Sequence, residues 1–528
     1  MSDSTITLVV LGVAAVLFVS NRIPPDAVAF SAALALTLTG VISVGDAFSG
    51  FGDPAVIFIA GLFVVGAALD SSGLTVWAGG RLVSSTGGSV KLTVVSMLGF
   101  VALFSAFVTP NAAVAALVPM VSIIAIRLKL AASKLLVPLV FAAHAGALLL
   151  LIGSPVNILI GEAIAGTGNG DPRFFEFAIV GLPLVIGTIA ISMLLAPRLL
   201  PERTPDLITP DLSELAQTLA AEYRLDDDDL VRHGVAPQLF TRQSGVAEVI
   251  VPPRSPLIGQ HVFPGMTSPS GDLVVVAVRR NGRDTEAGET ELRSGDSMLV
   301  EGSWDALADR IEPPELMSVE EPLEVRRQAV PFAHGAKRSV AVLVLMVTTI
   351  STGLLEPAVA GALAALAIVL TGVFSTEQAY RAISWQTIVL VASMLPVSGA
   401  IRTTGAGDDI ANALVDVVGT NPHLLLIGLF VVSAGLGQVI SNTATALIMI
   451  PVAISAADNL DVSSKPVLMS LLVASTAAFI TPIASPPNMM VLEPGGYRFG
   501  DFWRLGLVTM LLFFVVAVFL VPAVWPFR

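Results

Sequence analysis

The sequence contains no cysteine and few charged residues. The absence of cysteine excludes disulfide bonds, zinc–thiolate sites and catalysis by a thiol. Only 13% of the 528 residues are charged, whereas soluble domains carry about 25%. The five histidines are scattered, and neither a nucleophile–base pair nor a metal-ligand spacing recurs. The sequence therefore predicts neither an enzyme nor an organic cofactor, and it predicts no nucleic-acid partner.

Hydrophobic residues make up 54% of the chain, and the mean hydropathy is +0.83. Apolar runs long enough to cross a hydrocarbon core occur only before residue 198 and after residue 338. This distribution predicts an all-α polytopic membrane protein with a small α/β soluble domain inserted in its middle. The predicted parts are a first membrane repeat (1–198), a polar linker (199–245), a soluble domain (246–312), a second linker (313–337) and a second membrane repeat (338–528).

The two membrane regions match each other at a shift of about 332 positions. Pro25 falls opposite Pro357, and the sequence Leu-Thr-Gly-Val occurs at both 38–41 and 370–373. Similar composition would explain matching apolar residues, but it does not explain proline and glycine recurring in one order. Internal repeats with paired Gly/Pro-interrupted segments are typical of secondary transporters, and the interruptions point to the binding site.

The order of apolar runs in each region predicts three spans, a re-entrant hairpin, a broken helix and a final span. The number of crossings is odd, so the second copy must be inverted relative to the first. Lys and Arg favour cytoplasmic loops, and most loop Lys and Arg fall on the same side as the central segment. We therefore expect an inner-membrane protein with a cytoplasmic central domain and both termini outside.

The strongest motif is Ser-Asn-Thr-Ala-Thr at 441–445, between two apolar runs that are short for independent spans. Small polar residues at membrane depth are tolerated where they are buried in protein or line a water-filled cavity. Free N–H groups at a half-helix N-terminus can bind an anion, and Asn or Thr oxygens can bind a cation such as Na⁺. Hydroxyls that bond only to their own helix are the alternative for an isolated Ser or Thr, but a cluster favours a binding site.

A second paired motif is Gly-Ser-Pro-Val-Asn at 153–157 and Ala-Ser-Pro-Pro-Asn at 484–488. Proline removes a backbone donor and interrupts a helix, so each region is predicted to contain a helix broken within the membrane. The break frees carbonyl groups for a cation and directs a new helix N-terminus into the cavity. A plain proline kink is the alternative, and the asparagine that follows each proline argues against it.

These motifs, in both membrane regions, resemble those of the divalent anion/sodium symporter family, whose members transport dicarboxylates, tricarboxylates or sulfate. The resemblance implies one anion site between two hairpin tips, flanked by two sodium sites. The implied substrate-binding residues are Thr109, Pro110, Asn111, Ser441, Asn442, Thr443 and Pro486. The implied sodium ligands are Asn111, Gly153, Ser154, Asn157, Asn442, Thr445, Ala484, Ser485 and Asn488.

The first hairpin tip departs from the family pattern. It contains Thr109, Pro110 and Asn111 where the second contains Ser441-Asn442-Thr443. Either Pro110 replaces the expected asparagine, or a one-residue gap brings Asn111 opposite Asn442. Both alternatives alter one half of the anion clamp, which favours a compact anion such as sulfate over a long dicarboxylate.

Three ionisable residues near the breaks have open roles. His144 precedes the first break and could titrate near neutral pH, which would suit proton coupling, although a structural core histidine is the favoured interpretation. Glu162 and Glu493 each follow a break. They are predicted either to line the transport path or to lie at the wet edge of the membrane.

The central segment changes to alternating strands from about residue 246. Strands are predicted at 247–251, 273–278 and 297–301, and a short helix at 212–223. Over 246–312 the sequence resembles the TrkA-C domain, a small ligand-sensing α/β unit, which implies a small-molecule ligand and a regulatory role. Plain structural packing is the alternative.

The sequence thus predicts a sodium-coupled symporter of a divalent anion that works by alternating access in a homodimer within the lipid bilayer. Two alternatives stay open. One is another carrier with re-entrant hairpins, such as a cation/proton antiporter or an arsenite-type permease. The other is a transporter-like membrane sensor.

Overall fold

The computed structural model describes most of both membrane regions and the strands of the central segment. The described residues are 2–20, 22–72, 81, 89–127, 130–168, 170, 172–203, 219, 244–268, 271–280, 283–284, 289–304, 306–307, 311, 315–319, 335–419 and 421–528. The chain divides into two compact units. One comprises Met1–Asp70, Ala78–Ile208 and Gly335–Arg528, and the other comprises Ser71–Trp77 and Thr209–His334.

The first membrane region is helical, with breaks where the sequence places proline and glycine. Its described helices are α1 (Asp3–Ser20), α2 (Pro25–Leu38), α3 (Val44–Ser49), α4 (Pro54–Ser71), α5 (Val90–Ser105), α6 (Pro110–Arg127), α7 (Leu136–Ala147), α8 (Pro155–Gly166) and α9 (Ala178–Leu199). Proline is favourable at the first helical position because its missing N–H would have no intrahelical partner there.

The second membrane region contains the same elements in the same order, with α14 as an additional described helix. Its described helices are α10 (Ala336–Ser351), α11 (Pro357–Leu370), α12 (Thr376–Ala382), α13 (Trp385–Thr403), α14 (Ala406–Val418), α15 (Pro422–Leu436), α16 (Asn442–Asn459), α17 (Ser464–Thr476), α18 (Pro486–Met490) and α19 (Phe502–Val515). After α19 the chain continues through a π-helical turn (Val516–Leu520) to Val524.

Local details repeat as well. Ser43 and Ser375 each begin a short helix with a capping box, in which the serine and the third helical residue bond to each other's backbone. Gly40 and Gly372 adopt left-handed φ values of 80° and 69° after α2 and α11. The predicted repeat is therefore present at the level of caps and turns.

The two membrane regions pack against each other at two places where their backbones come close together. Helix α2 lies on α13, and the turn after α3 approaches so closely that a Cβ at Gly50 would lie 2.0 Å from the Ala392 carbonyl oxygen. Likewise α4 meets α11, where a Cβ at Gly61 would lie 2.5 Å from the carbonyl oxygen of Gly361. Only glycine fits such contacts, and they join the regions into one body.

Five of the described helical segments are long and apolar enough to cross a membrane. They are Asp3–Ser20, Val44–Ser71, Ala178–Leu199, Trp385–Thr403 and Phe499–Val524. Six shorter apolar helices, including those next to the predicted hairpin tips and breaks, accompany them. This division agrees with the prediction that some apolar runs are half-helices.

The central segment forms an antiparallel sheet of order β4-β3-β6-β1-β7 and a two-stranded sheet of β2 and β5. The strands are β1 (Ser244–Ile250), β2 (His261–Val262), β3 (Leu273–Arg280), β4 (Arg283–Asp284), β5 (Thr290–Glu291), β6 (Ser297–Ser303) and β7 (Met317–Ser318). The three predicted strands are confirmed in β1, β3 and β6. Their apolar residues build a core with Trp304 and Leu307.

The sheet extends beyond the boundaries predicted from the sequence. Strand β1 begins at Ser244, in the segment predicted as a linker (199–245), and β7 lies in the other predicted linker (313–337). There Met317 pairs with Ile250. A two-residue strand such as β7 shows too little alternation of apolar and polar residues to be recognised in the sequence. The helix predicted at 212–223 lies outside the described residues, apart from Leu219.

Candidate functional site

The two hairpin tips share one backbone conformation. In the first, the Val108 N–H donates to the Phe104 carbonyl at 3.0 Å, and in the second, the Ile440 N–H donates to the Leu436 carbonyl at 3.0 Å. Helices α6 and α16 then begin at Pro110 and Asn442. The two turns therefore align at a shift of 332 without a gap.

This register decides between the two alignments of the first tip. Pro110 occupies the position of Asn442, and Asn111 occupies that of Thr443. Further along, Ala113 occupies the position of Thr445, and both residues are fully buried at 0% exposure. The first tip therefore lacks a side-chain amide at the position of Asn442 and lacks hydroxyls at the positions of Thr443 and Thr445.

Both predicted breaks are present and are held by the same side chain. Helix α7 ends at Ala147 and α8 begins at Pro155, while α17 ends at Thr476 and α18 begins at Pro486. The Asn157 side-chain nitrogen donates to the carbonyls of Ala147 and Leu150, both at 2.7 Å.

The second break repeats this arrangement. The Asn488 side-chain nitrogen donates to the carbonyls of Ala478 and Thr481, both at 2.9 Å. In each break the accepting residues lie ten and seven positions before the asparagine. Because buried carbonyls need partners, the recurring asparagine stabilises the interruption and is not an incidental feature of a kink.

In the second region, Gln438 joins the hairpin to the break. Its side-chain nitrogen donates to the carbonyls of Ala434 and Ala477, both at 2.9 Å. Its side-chain oxygen accepts from the Ile480 N–H at 2.9 Å, and the Thr481 hydroxyl donates to the Gln438 carbonyl at 2.9 Å. The tip at 437–441 and the break at 477–481 therefore form one structure.

The first region joins the same elements by close contact instead. Ala106 stands where the second region has Gln438, and the Ser105 hydroxyl donates to the Ala143 carbonyl at 2.7 Å. A Cβ at Gly146 would lie 2.1 Å from the Ala102 carbonyl oxygen. Backbone contact through glycine therefore replaces the glutamine bridge.

The half-helices after the breaks connect the two regions. Helix α8 packs on α16 and α17, and α18 packs on α6 and α7. Each break is therefore completed by the hairpin of the other region. The two breaks and the two hairpin arms that follow the tips are therefore joined by contacts between the regions.

At the second tip and the second break, four buried side-chain oxygen atoms have no hydrogen-bond partner among the described residues. They are Asn442 Oδ1, Thr445 Oγ1, Ser485 Oγ and Asn488 Oδ1. Buried polar atoms are normally paired, so unpaired ones need an explanation such as a ligand. Asn488 and Thr445 are fully buried, and Ser485 is 5% exposed.

In the first region, the residues equivalent to Ser485 and Asn488 are bonded to each other. The Ser154 hydroxyl donates to Asn157 Oδ1 at 2.8 Å and accepts from the Asn157 N–H at 3.3 Å. Of the other predicted site residues, Asn111 and Pro486 are exposed, whereas Gly153 and Ala484 are buried in the breaks. Thr109, Ser441 and Thr443 are half-buried.

His144 is a buried member of an aromatic cluster. It is 2% exposed, its Nδ1 lies 2.9 Å from the Val140 carbonyl oxygen, and its ring meets that of Phe479 edge-on at 5.9 Å. Phe479 also contacts Phe141 and Phe513. These contacts favour the interpretation of His144 as a core residue.

Glu162 lines a cavity of about 1170 Å³ that extends from Leu151, in the first break, to the ends of α4 and α10. Other ionisable residues around it are Arg173, Glu176, Glu356 and Lys465. Glu493 is exposed and does not line this cavity. The two glutamates that follow the breaks therefore have different surroundings.

Two polar clusters that the sequence did not predict lie at the beginnings of the broken helices. In the first anchor, defined as Ser133, Lys134, Arg203, Tyr497 and Asp501, the Tyr497 hydroxyl donates to the Ser133 carbonyl and accepts from the Val137 N–H at 3.1 Å. Burial raises the pKa of Tyr497, so its hydroxyl stays protonated. Arg203 pairs with Asp501 at 2.7 Å.

The second anchor consists of Glu176, Ser463, Lys465, Trp525 and Phe527. Lys465 pairs with Glu176 at 2.7 Å, and the Trp525 ring N–H donates to the same carboxylate at 2.9 Å. Partial burial opposes ionisation, but these donors and the Arg173 N–H hold the pKa of Glu176 below its usual value. The Ser463 N–H donates to the Phe527 carbonyl at 2.8 Å.

A sequence signal for the anchors existed in the recurrence of Ser133-Lys134 as Ser464-Lys465. In each anchor, the start of one region's broken helix meets the loop that follows the other region's break. The two broken helices therefore run in opposite directions past each other.

Comparison with known proteins identifies the family. The family model for the citrate transporter (CitMHS) matches residues 15–446 and 408–528. The chain belongs to the citrate transporter (CitMHS) family. This family is one of transporters, so the chain is a transporter, and its apolar helices make it a multi-pass membrane protein.

Several curated relatives support this assignment. The uncharacterised transporter YfbS of Escherichia coli (strain K12) is 32% identical over 98% of this chain and 99% of its own length. A putative sulfur deprivation response regulator of Chlamydomonas reinhardtii is 26% identical over 94% of this chain and 97% of its own. Sodium/sulfate cotransporter 2 of the same alga is 26% identical over 52% of this chain and 32% of its own.

Among solved structures, the YdaH transporter of Alcanivorax borkumensis aligns over 94% of this chain and 89% of its own, with 18% identity and a TM-score of 0.47. The CitMHS family lies in the same superfamily as the divalent anion/sodium symporters. The resemblance inferred from the hairpin and break motifs is thus confirmed at the level of the superfamily. The TrkA-C resemblance of the central domain stays a prediction.

Proposed function

We propose that this CitMHS-family transporter is a sodium-coupled symporter of a divalent oxyanion, with sulfate as the favoured substrate. The observation that supports it best is the group of four unpaired oxygens on Asn442, Thr445, Ser485 and Asn488. Neutral oxygen donors of this kind are ligands for a hard cation. A cation bound there would supply positive charge beside an anion.

The anion is proposed to bind at the second tip, in front of the N-terminus of α16. Ser441 caps this helix by accepting from the Ala444 N–H at 3.3 Å, and the first-turn N–H groups of Asn442 and Thr443 point toward the tip. Helix N-termini favour anions. No Lys or Arg lies among the described residues of either tip or either break, so the adjacent cation would balance the anion's charge.

Two considerations favour sulfate over a longer carboxylate. The first tip has Pro110 where the second has Asn442, so the two tips do not present a side-chain amide at equivalent positions. Relatives from Chlamydomonas reinhardtii that match part of this chain are named sodium/sulfate cotransporters. Citrate, which gives the family its name, is the competing substrate.

An uptake panel in proteoliposomes tests the proposal. Labelled sulfate, succinate, citrate and phosphate would be offered with an inward Na⁺ gradient, a K⁺ gradient of equal size, or a proton gradient. We expect sulfate uptake that depends on Na⁺. Na⁺-dependent uptake of citrate instead of sulfate would contradict the proposed substrate but not sodium coupling. Uptake driven by protons alone would contradict sodium coupling.

We further propose that the two regions are inverted copies that work by alternating access, with both termini outside. The antiparallel course of the two broken helices supports the inversion. The distribution of Lys and Arg in the loops supports an inner-membrane location with the central domain in the cytoplasm. Accessibility of single introduced cysteines on either side of the membrane would test this orientation, because the chain has none of its own.

The central domain is proposed to be a TrkA-C-like regulatory unit that binds a small molecule, and the transporter is proposed to be a homodimer. The antiparallel sheet with its own apolar core supports an independently packed unit. Deleting residues 240–315 should change transport kinetics while insertion is retained. Unchanged kinetics would contradict regulation, and the mass of the purified detergent complex would test dimerisation.

A further inference from the structure

We infer that this transporter has a single coupling-cation site, in the second membrane region, and that the equivalent position in the first region is a closed structural copy. The inference rests on the proposed sodium coupling. It departs from the two sodium sites that the resemblance to divalent anion/sodium symporters implied. Three positions in the first region carry the argument.

The first position is at the hairpin tip. Because the two tips align without a gap, Pro110 stands where Asn442 offers an unpaired side-chain oxygen. Proline has no side-chain oxygen and no N–H. The neighbouring Asn111 does not replace this oxygen, since it occupies the position of Thr443 and is exposed.

The second position lies one turn into the helix. Thr445 is fully buried with an unpaired hydroxyl, and its equivalent, Ala113, is equally buried and has no polar side-chain atom. A cation in the first region would therefore lose a ligand at a place where water is also excluded. Burial without a polar ligand disfavours a cation strongly.

The third position is the break itself. Ser485 and Asn488 leave their side-chain oxygens unpaired, whereas the Ser154 hydroxyl donates to Asn157 Oδ1 at 2.8 Å. A cation at the first break would have to break that bond before either side-chain oxygen could bind it, whereas the oxygens of the second break are already free. The amide groups of Asn157 and Asn488 hold both breaks in the same way, so the difference lies in ligand supply and not in backbone shape.

Thermal unfolding of the purified full-length protein provides the test. Unfolding would be followed in detergent while Na⁺ replaces K⁺ at constant ionic strength, without substrate. A ligand that binds only the folded state raises its stability with concentration. We expect a Na⁺-specific shift that fits one binding site.

A matched pair of variants locates the site. Ser485→Ala should weaken the apparent Na⁺ affinity at least tenfold, and Ser154→Ala should change it less than twofold. If the Ser485→Ala protein does not fold, Thr445→Ala replaces it, because it also removes an unpaired oxygen of the proposed cation site. If Ser154→Ala weakens Na⁺ affinity as much as Ser485→Ala, the single-site inference is overturned while sodium coupling stands. If the wild-type protein shows no Na⁺-specific shift, sodium coupling itself fails.

Discussion

The two membrane regions share a backbone but differ in the chemistry that the backbone presents. Caps, left-handed glycines, hairpin turns and asparagine-held breaks recur at equivalent positions. At its tip and break, the first region has proline, alanine and an internal Ser–Asn bond, whereas the second leaves four oxygens unpaired at the corresponding places. In a duplicated transporter, therefore, the groups that maintain the fold are retained in both copies, and binding groups can be concentrated in one.

The largest effect on transport should come from substitutions at the hairpin tips. Asn442→Ala removes a donor and an acceptor from the proposed site, and we expect the rate of Na⁺-driven sulfate uptake to fall at least about 100-fold, as for loss of a well-placed polar ligand worth about 3 kcal/mol. Pro110→Ala, at the same position in the first region, should stay within about threefold of wild type, because no side-chain polar group is lost. Equal losses in the two variants would contradict the asymmetry.

The breaks should show similar costs in stability. Asn157→Ala and Asn488→Ala each leave two carbonyls without their side-chain partner, which should lower the free energy of unfolding by about 2 kcal/mol, at about 1 kcal/mol per hydrogen bond. Asn157→Ala also removes the acceptor of the Ser154 hydroxyl and should cost about 1 kcal/mol more. Unfolding in Na⁺-free buffer measures this cost. Added Na⁺ should stabilise the Asn157→Ala protein but not the Asn488→Ala protein, and a Na⁺ response in both would argue against Asn488 as a ligand.

The contacts that join each hairpin to its break should be weakened by removing side-chain atoms in the second region and by adding them in the first. Gln438→Ala deletes three side-chain hydrogen bonds, and Gly146→Ala places a Cβ about 2.1 Å from the Ala102 carbonyl oxygen. We expect destabilisation of about 3 kcal/mol for Gln438→Ala, at about 1 kcal/mol per lost hydrogen bond, and of roughly 1–3 kcal/mol for Gly146→Ala, from overpacking. Ala106→Gly, which neither removes a bond nor fills space, is the control. Destabilisation by the control as large as in the other two would contradict this account of the contacts.

The smallest expected effect is that of the second anchor on the stability of the protein, and this effect depends on pH. The pKa of Glu176 is below its usual value of 4.5, so its ion pair stabilises the protein above that pH, and the contribution is lost as the pH falls through the lowered pKa. Glu176→Gln should cost no more than about 1 kcal/mol at pH 7 and should reduce the loss of stability on acidification. An unchanged acid profile would contradict this role.

Much of the fold was predictable because proline, glycine and polar tips mark the ends of apolar helices. The repeat, both breaks and three central strands follow from such local signals. The register of the first tip was not predictable, because Thr109, Pro110 and Asn111 fit the second tip with or without a gap. Only the hydrogen bonds of the turn distinguish the two alignments.

The partners that complete the anchors, and the hydrogen bonds within the site, could not be predicted from the sequence. Glu176 and Lys465, or Ser133 and Tyr497, are far apart in the chain, and no local pattern pairs them. Likewise, Ser154 and Ser485 sit in nearly identical motifs, yet one hydroxyl is bonded to an asparagine side chain and the other is not. Such differences depend on the packing of several helices at once.

The exchange of anchoring residues between the regions has a consequence for biosynthesis. The Val137 N–H and the Ser133 carbonyl, at the start of the first broken helix, are completed by Tyr497, which the ribosome adds more than 300 residues later. The first membrane region therefore stays incompletely folded in the membrane until the C-terminal part of the chain has been synthesised. A nascent chain halted before this tyrosine should be a substrate for membrane quality control.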